Sequence, residues 1–360
     1  MEEEAGITPE LIEVRADERF DEARLAAYLR NGLPGSDQPL TVRQFARGKA
    51  NLTYLLIYGD PRTPTREYVL RRPPLGPVAP GSHDMAREYR VLATLWRAFP
   101  LAARAFLFCD DESVLGAPFF VMERRRGVVV QGVIPPEFGG GENPVANRKL
   151  SEVVVDTLAE FHAVDPDSAG LGDLGYPEGF IQRQLQGWLG RWRRASHAPN
   201  PLVDELSLWL EETMPASPAP TLLHNDWRLD NMAVHPGDPG RCVAVYDWDM
   251  CTRGDPFADV GTLMACWFDP DEQSIILDLM PTRSRGFMTR REAICRYGRK
   301  SGRDISNMHW YLVFGTFKLG VILQQIYIRW LRGQTKDDRF SRMGQDAALL
   351  FELAADRRSV

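Results

Sequence analysis

The chain is short of the features that mark an exported or disulfide-built protein. Five of its 360 residues are cysteine. Cys109, Cys242, Cys251, Cys266 and Cys295 are scattered and include no C-x-x-C pair, so reduced, mostly buried thiols are expected rather than a disulfide framework. The opening Met1-Glu2-Glu3-Glu4 is acidic where a secretory leader is basic and then apolar, and a cytoplasmic protein is expected. Positive charge is also scarce: 43 Lys and Arg stand against 49 Asp and Glu, for a net charge of −6. That balance argues against a nucleic-acid partner but leaves room for a local basic cleft around a small anion. No strand is followed by G-x-G-x-x-G, so a dinucleotide dehydrogenase fails. The longest apolar run, 310–331, is interrupted by Lys318, Gln324, Gln325 and Arg329. A charge in mid-membrane costs several kcal/mol, so the run reads as a long buried helix, and no membrane partner is expected.

What is present has the balance of a globular protein, 44% hydrophobic and 26% charged. At about 150 residues per domain, two packed units are expected. Residues 1–18 read as a loose acidic lead-in. A helix follows, with Phe20, Leu25, Leu29 and Leu33 near one face and Pro34-Gly35 to stop it. Strands are predicted at 40–45, 52–58, 67–72 and 118–122, with an amphipathic helix over 83–99 carrying Met85, Tyr89, Leu92 and Leu95. After a turn-rich loop at 135–144, helices are predicted at 147–164, 178–197 and 201–213. Short strands return at 221–225, 232–235 and 243–247, and everything beyond Pro256 is helical in period. The fold class is therefore α+β: a small antiparallel β-sheet lobe with one key helix, 1–123, and a larger, mainly helical lobe, 124–360.

The informative stretch is 222–259, LLHNDWRLDNMAVHPGDPGRCVAVYDWDMCTRGDPFAD. An apolar strand delivers His224-Asn225-Asp226, and Asn231 follows Asp226 by five. Two short strands around a Gly-Pro turn then deliver Asp247-Trp248-Asp249. Three oxygen-bearing side chains at strand ends suit Mg²⁺, which takes a few carboxylate or amide oxygens plus substrate phosphates. Solvated turn acids would explain each residue singly but not the ordered set.

The template that this set matches is the kinase H-x-D-x-x-x-x-N loop with a following metal-binding Asp. The sequence resembles the aminoglycoside phosphotransferase and choline kinase superfamily of small-molecule kinases. More narrowly, "DWRLDN" followed by "YDWDMCTRGDPFADVG" is similar to the subgroup found fused to acyl-CoA dehydrogenases. The resemblance, from about Phe45 onward, implies a protein-kinase-like bilobal fold. It also implies a phosphotransferase that uses ATP, with GTP left open, and Mg²⁺. Asn225 departs from the family's usual Gly. Asp226 would orient the substrate hydroxyl and accept its proton, and Arg228 would face the transferring phosphate. Asn231 and Asp247 would hold the metal, with Asp249 a second contact. His224 would pack beneath Asp226, while Asp255 and Asp259 would cap the next helix and brace the loop through backbone N–H groups.

The first lobe would supply the nucleotide grip. Strand alternation puts Val69 and Arg71 on one face. By the resemblance Arg71 takes the usual lysine's place against the α- and β-phosphates, paired with Glu88; an exposed strand-end Arg is the plainer alternative. A phosphate-covering turn is expected at 47–51, with Gly48 and Asn51. The base would meet the main chain near Glu123 and Arg124, beside Phe120 or Met122. The helix near 180–194 carries Arg183, Arg191, Arg193 and Arg194 with Trp188 and Trp192. It is either a solvated basic face or, if part turns inward, a site for an anionic or acyl-bearing alcohol. The favoured acceptor is the hydroxyl of a small molecule, a hydroxyacyl compound by analogy with the fused subgroup. An aminoglycoside or macrolide kinase and a non-catalytic nucleotide-binding module stand as alternatives, and monomer and homodimer both stay open.

Overall fold

The computed structural model describes residues 10–46, 51–76, 84–272, 280–335 and 337–359. The first nine residues, His83 and most of the expected phosphate turn, 47–50 with Gly48, lie outside them. The chain divides into two units, Met1–Arg126 and Gly127–Val360; the sequence reading places the division after Glu123.

In the first unit the strands are β1 (Leu11–Ile12), β2 (Leu40–Phe45), β3 (Leu52–Asp60), β4 (Thr63–Arg72), β5 (Ala105–Cys109) and β6 (Phe119–Glu123), and the helices are α1 (Glu22–Leu29), α2 (Met85–Leu95) and α3 (Glu112–Leu115). The strands form one antiparallel sheet in the order β1-β2-β3-β4-β6-β5. Period-two alternation explains both faces. Tyr54, Leu56, Tyr68 and Leu70 join Leu25, Leu29, Val114 and Leu115 in one core. The alternate residues Val69 and Arg71 therefore face the other way, where Arg71 meets Glu88 of α2. At the β3–β4 hairpin, Gly59 has φ +89°, and a Cβ there would lie 2.7 Å from Thr65 Oγ1. Two expectations change. The acidic lead-in supplies edge strand β1, with Leu11 opposite Phe45, and the unforeseen β5 pairs with β6. Both are short and gain stability from pairing rather than from their own pattern.

The second unit contains β7 (Val128–Val129), β8 (Thr221–Leu223), β9 (Met232–His235), β10 (Asp238–Val245) and β11 (Thr252–Gly254). Its helices are α4 (Pro144–His162), α5 (Phe180–Ala195), α6 (Pro201–Glu212), α7 (Pro256–Ala265), α8 (Arg290–Ser301), α9 (Met308–Leu331) and α10 (Met343–Asp356). Two small sheets, β10-β9-β7 and β11-β8, lie among the helices. The strands β7 and β11 were not legible in so few residues. Helix α9 is long and apolar enough to cross a membrane, yet 67% of its apolar window is buried inside the fold, as expected of a core helix. It crosses α7 at two glycines: a Cβ on Gly315 would lie 2.3 Å from the Gly261 carbonyl oxygen. The backbones touch there, which holds α7 and the loop it carries against the helical core.

Candidate active site

Buried strand β8 ends at Leu223, opposite Thr252 of β11, and hands the chain to His224. The His224 ring is fully buried. Its Nδ1 accepts from the Asp226 amide at 3.3 Å and its Nε2 lies 2.8 Å from the Tyr246 carbonyl. Those partners assign the neutral Nε2–H tautomer. Trp227 and Trp248 enclose the ring at 5.5 and 4.9 Å between centroids. Histidine here is a strut under the loop.

Asp259, in the first turn of α7, accepts from the amides of His224 and Asn225, each at 2.7 Å. It also receives His162 Nε2 at 3.3 Å, while Tyr297 OH lies 2.8 Å from His162 Nδ1. Burial alone would raise the Asp259 pKa, but the His162 hydrogen bond and the amide donors hold it below the usual carboxylate range. Burial lowers the pKa of His162 against the pull of Asp259. The pair is therefore a charged carboxylate braced by a neutral imidazole. Asp255 caps α7 through the Phe257 amide at 2.9 Å and accepts from Tyr311 OH at 2.6 Å; burial raises its pKa.

Asn225 has φ +68°. Asn is among the few residues that enter the left-handed region at modest cost, which explains how it stands where the family has Gly. Its Nδ2 donates to the Met250 carbonyl at 2.8 Å. Asp226 comes next, with Arg228 Nη1 at 3.2 Å from one carboxylate oxygen and Asn231 Nδ2 donating at 2.8 Å to the other. Arg228 also makes a fork to Asp230, at 2.9 and 3.2 Å. Burial would lower the Arg228 pKa, but Asp226 and Asp230 overcome it and raise it. The guanidinium expected to face a phosphate is thus committed to two carboxylates. Between them Trp227 turns inward, donating to the Val154 carbonyl at 2.9 Å and stacking on Phe161.

The metal candidates emerge from one hairpin end. Met232 pairs with Val245, and the Tyr246 amide donates to the Asn231 carbonyl at 2.8 Å. Asn231 Nδ2 is taken by Asp226, which leaves Oδ1 as the atom this side chain can present to a cation. Asp247 has φ +63°, and of the three non-glycine positive-φ residues among those described, two, Asn225 and Asp247, belong to this site. Strained backbone concentrates where a side chain must be aimed. Asp249 follows, half-buried, in the turn closed by Cys251 N–H on the Trp248 carbonyl at 3.0 Å. Among the described residues no three His, Cys, Asp or Glu side chains form a metal cage. The donor set fits Mg²⁺ that arrives on phosphates, because such an ion needs only one or two protein oxygens.

In the first unit, Arg71 Nη1 lies 3.0 Å from Glu88 Oε1, with side chains only 10% and 1% exposed. The pair forms as expected, and the exposed strand-end alternative is corrected. Asn51 is buried and Met122 half-buried. The Glu123 amide donates to the Arg104 carbonyl at 2.8 Å, and Arg124 pairs with Glu67 at 2.7 Å. A base edge near Glu123 must therefore use other main-chain groups, and Arg124 is held by carboxylates.

Of the α5 arginines, Arg193 and Arg194 are exposed and Arg183 folds back onto the carbonyls of Tyr176 and Glu178. Arg191 alone lies over Trp188, at 4.4 Å from the ring centroid. Sequence reasoning gave Lys318 no role beyond interrupting the apolar run. Its signal was present: it is the one Lys or Arg in α9 before Arg329.

The chain is similar to several known proteins. Acyl-CoA dehydrogenase family member 11 of Gallus gallus is 33% identical over 339 residues, 91% of this chain. The chain spans only 42% of that protein's length. A Ralstonia eutropha protein described as an aminoglycoside phosphotransferase has a TM-score of 0.79 at 30% identity, over 94% of this chain and 98% of its own. A mutant of aminoglycoside phosphotransferase APH(4)-Ia, in ternary complex with AMP-PNP and hygromycin B, has a TM-score of 0.56 at 17% identity, over 92% of this chain and 98% of its own, a likeness of fold alone. The kinase-like α+β fold goes with a family match over residues 41–291, and the chain belongs to the phosphotransferase enzyme family.

Proposed function

We propose that the chain is an ATP- and Mg²⁺-dependent kinase of a small-molecule hydroxyl, with a hydroxyacyl compound as the acceptor. The observation that carries this reading is the Asp226 carboxylate, held on one oxygen by Arg228 and on the other by Asn231. Asp226 takes the proton of the acceptor hydroxyl as its oxygen bonds the γ-phosphorus and the bond to the bridging oxygen of ADP breaks. Arg228 is a positioning residue that fixes the carboxylate's orientation. Mg²⁺, when bound, neutralises the phosphate charge, and Asn231 Oδ1 and Asp247 are the groups that would hold it. Arg71, tethered by Glu88, is assigned to the α- and β-phosphates. Nucleotide use is supported by the APH(4)-Ia complex with AMP-PNP, and the hydroxyacyl acceptor by the likeness to an acyl-CoA dehydrogenase family member.

The Ralstonia likeness favours an antibiotic acceptor as a second reading. A screen of hydroxy acids, acyl thioesters and aminoglycosides for Mg²⁺-dependent ATP consumption, read by product mass, separates the two. Asp226→Asn is expected to lower kcat by about two to four orders of magnitude while ATP affinity persists. Near-normal turnover by this variant removes Asp226 from the mechanism.

A further inference from the structure

Lys318 projects from the middle of α9 and its ammonium lies 3.4 Å from Thr262 Oγ1 on α7. That hydroxyl donates to the Ala258 carbonyl at 2.8 Å, so it offers the ammonium a lone pair. No carboxylate of the described residues forms an ion pair with Lys318. Its nitrogen instead lies 5.6 Å from the Trp188 ring centroid, the ring that also carries Arg191. Two cations from different helices thus share one indole.

Thr262 stands one turn of α7 beyond Asp259, whose carboxylate accepts the His224 and Asn225 amides just before Asp226. Burial depresses the Lys318 pKa, while Asp259 and Asp226 pull it back up and Arg191 pushes it down further. Burial pushes the Cys266 thiol up to about 11, and that one thiol feels Arg228, Asp226, Asp230 and Lys318 together. Lys318 is therefore half-buried one helical turn from the Asp259 brace, at a position where a Met or Leu would pack without penalty. A half-buried ammonium with no carboxylate partner among the described residues is stabilised by an anion that arrives from outside. An acceptor that brings an anion close to the negative Asp226 needs such a counter-charge.

We propose that Lys318, with Arg191 stacked on Trp188, forms the site that holds the anionic group of the acceptor alcohol while its hydroxyl faces Asp226. The proposal rests on the kinase reading above and adds to it the acceptor's charge and the residues that select it. The shared chemistry is a carboxylate or phosphate oxygen anion, carried either by a free hydroxy acid or by a carrier thioester. The guanidinium of Arg191 suits either through its fork, and the Lys318 ammonium acts as a point charge.

The test compares wild type with Lys318→Met, Lys318→Arg and Arg191→Gln on three acceptors: a hydroxy acid, its CoA thioester and the uncharged hydroxy amide. In steady-state assays, wild type is expected to prefer an anionic acceptor over the amide. Lys318→Met should raise KM for that acceptor by about one to two orders of magnitude and remove the preference, with KM for ATP unmoved. Lys318→Arg should recover part of the loss, and the better anionic acceptor names the source of the anion. Calorimetric titration of each acceptor onto the AMP-PNP-loaded chain gives a second readout that needs no turnover. If no acceptor is phosphorylated but Lys318→Met still abolishes anion binding, the kinase reading fails and the anion site stands. Equal use of charged and neutral acceptors by wild type, or a Lys318→Met defect in KM for ATP instead of the acceptor, overturns the proposal.

Discussion

Arg71 and Arg72 are neighbours in sequence with opposite surroundings. Arg71 meets Glu88 at 3.0 Å. Arg72 points to the other face, where its charge reaches Tyr54, and it too is buried, at 4% exposure. Arg71→Ala takes the guanidinium at 3.0 Å away from the buried Glu88 carboxylate, so it is expected to lower stability by about 3–5 kcal/mol and ATP affinity by one to two decades, roughly 1.4–3 kcal/mol. Adding Glu88→Gln removes the buried charge and should recover the melting temperature without recovering ATP affinity. Arg71→Lys should recover part of the affinity, because a point charge still attracts phosphate but cannot make the fork. Arg72→Ala should lower the melting temperature and leave ATP affinity alone. Titration of ATP at fixed Mg²⁺, beside thermal melts, checks all four variants. A drop in affinity from Arg72→Ala alone would move the nucleotide grip to the other face of β4.

At the scale of elements, the loop that carries Asp226 is held from behind by α7, and α7 is held by α9. The contact at Gly261 and Gly315 is backbone on backbone, so neither residue can gain a methyl group without a shift of the helices. Gly315→Ala is expected to cost about 1–3 kcal/mol of stability, measured as a lower urea midpoint at constant slope. Because Asp259 on α7 receives the His224 and Asn225 amides, the same shift should lower kcat more than KM for ATP. A destabilised variant with unchanged kcat would show that the loop keeps its geometry without the close crossing.

For the whole molecule, the buried His162–Asp259 pair couples stability to pH. Burial depresses the folded-state pKa of His162 below its unfolded value of about 6.5. The unfolded chain therefore takes up the proton first. The contribution is complete above that pH and is lost as pH falls through the folded pKa. Asp259, also depressed, adds stability that is lost only further down, below the unfolded carboxylate value. Asp255 acts in the opposite sense, over the carboxylate range, because burial raises its pKa. The melting temperature is expected to fall from pH 7 to pH 5, and to fall less in His162→Gln, which can still donate to Asp259 and accept from Tyr297. Equal slopes in both proteins would assign the acid sensitivity elsewhere.

What the sequence determined by itself was local in origin. Period-two and period-3.6 patterns placed β2, β3, β4, β6 and the principal helices, and the spacing of His224, Asp226, Asn231 and Asp247 marked the loop, because such patterns are carried within a few residues. Strands β1, β5, β7 and β11 were missed because their pairing partners supply what their own few residues do not. The turn of Arg228 onto Asp226 and Asp230, the left-handed backbone at Asn225 and Asp247, and the buried brace of His162 on Asp259 depend on burial and on partners elsewhere in the chain. Lys318 is the plainest case. In sequence it is a polar interruption of an apolar run, and only the packing of α5, α7 and α9 brings it to Trp188, Thr262 and the field of Asp226. A charge's meaning depends on its distance to other charges and on the water around it, and both are set by tertiary structure.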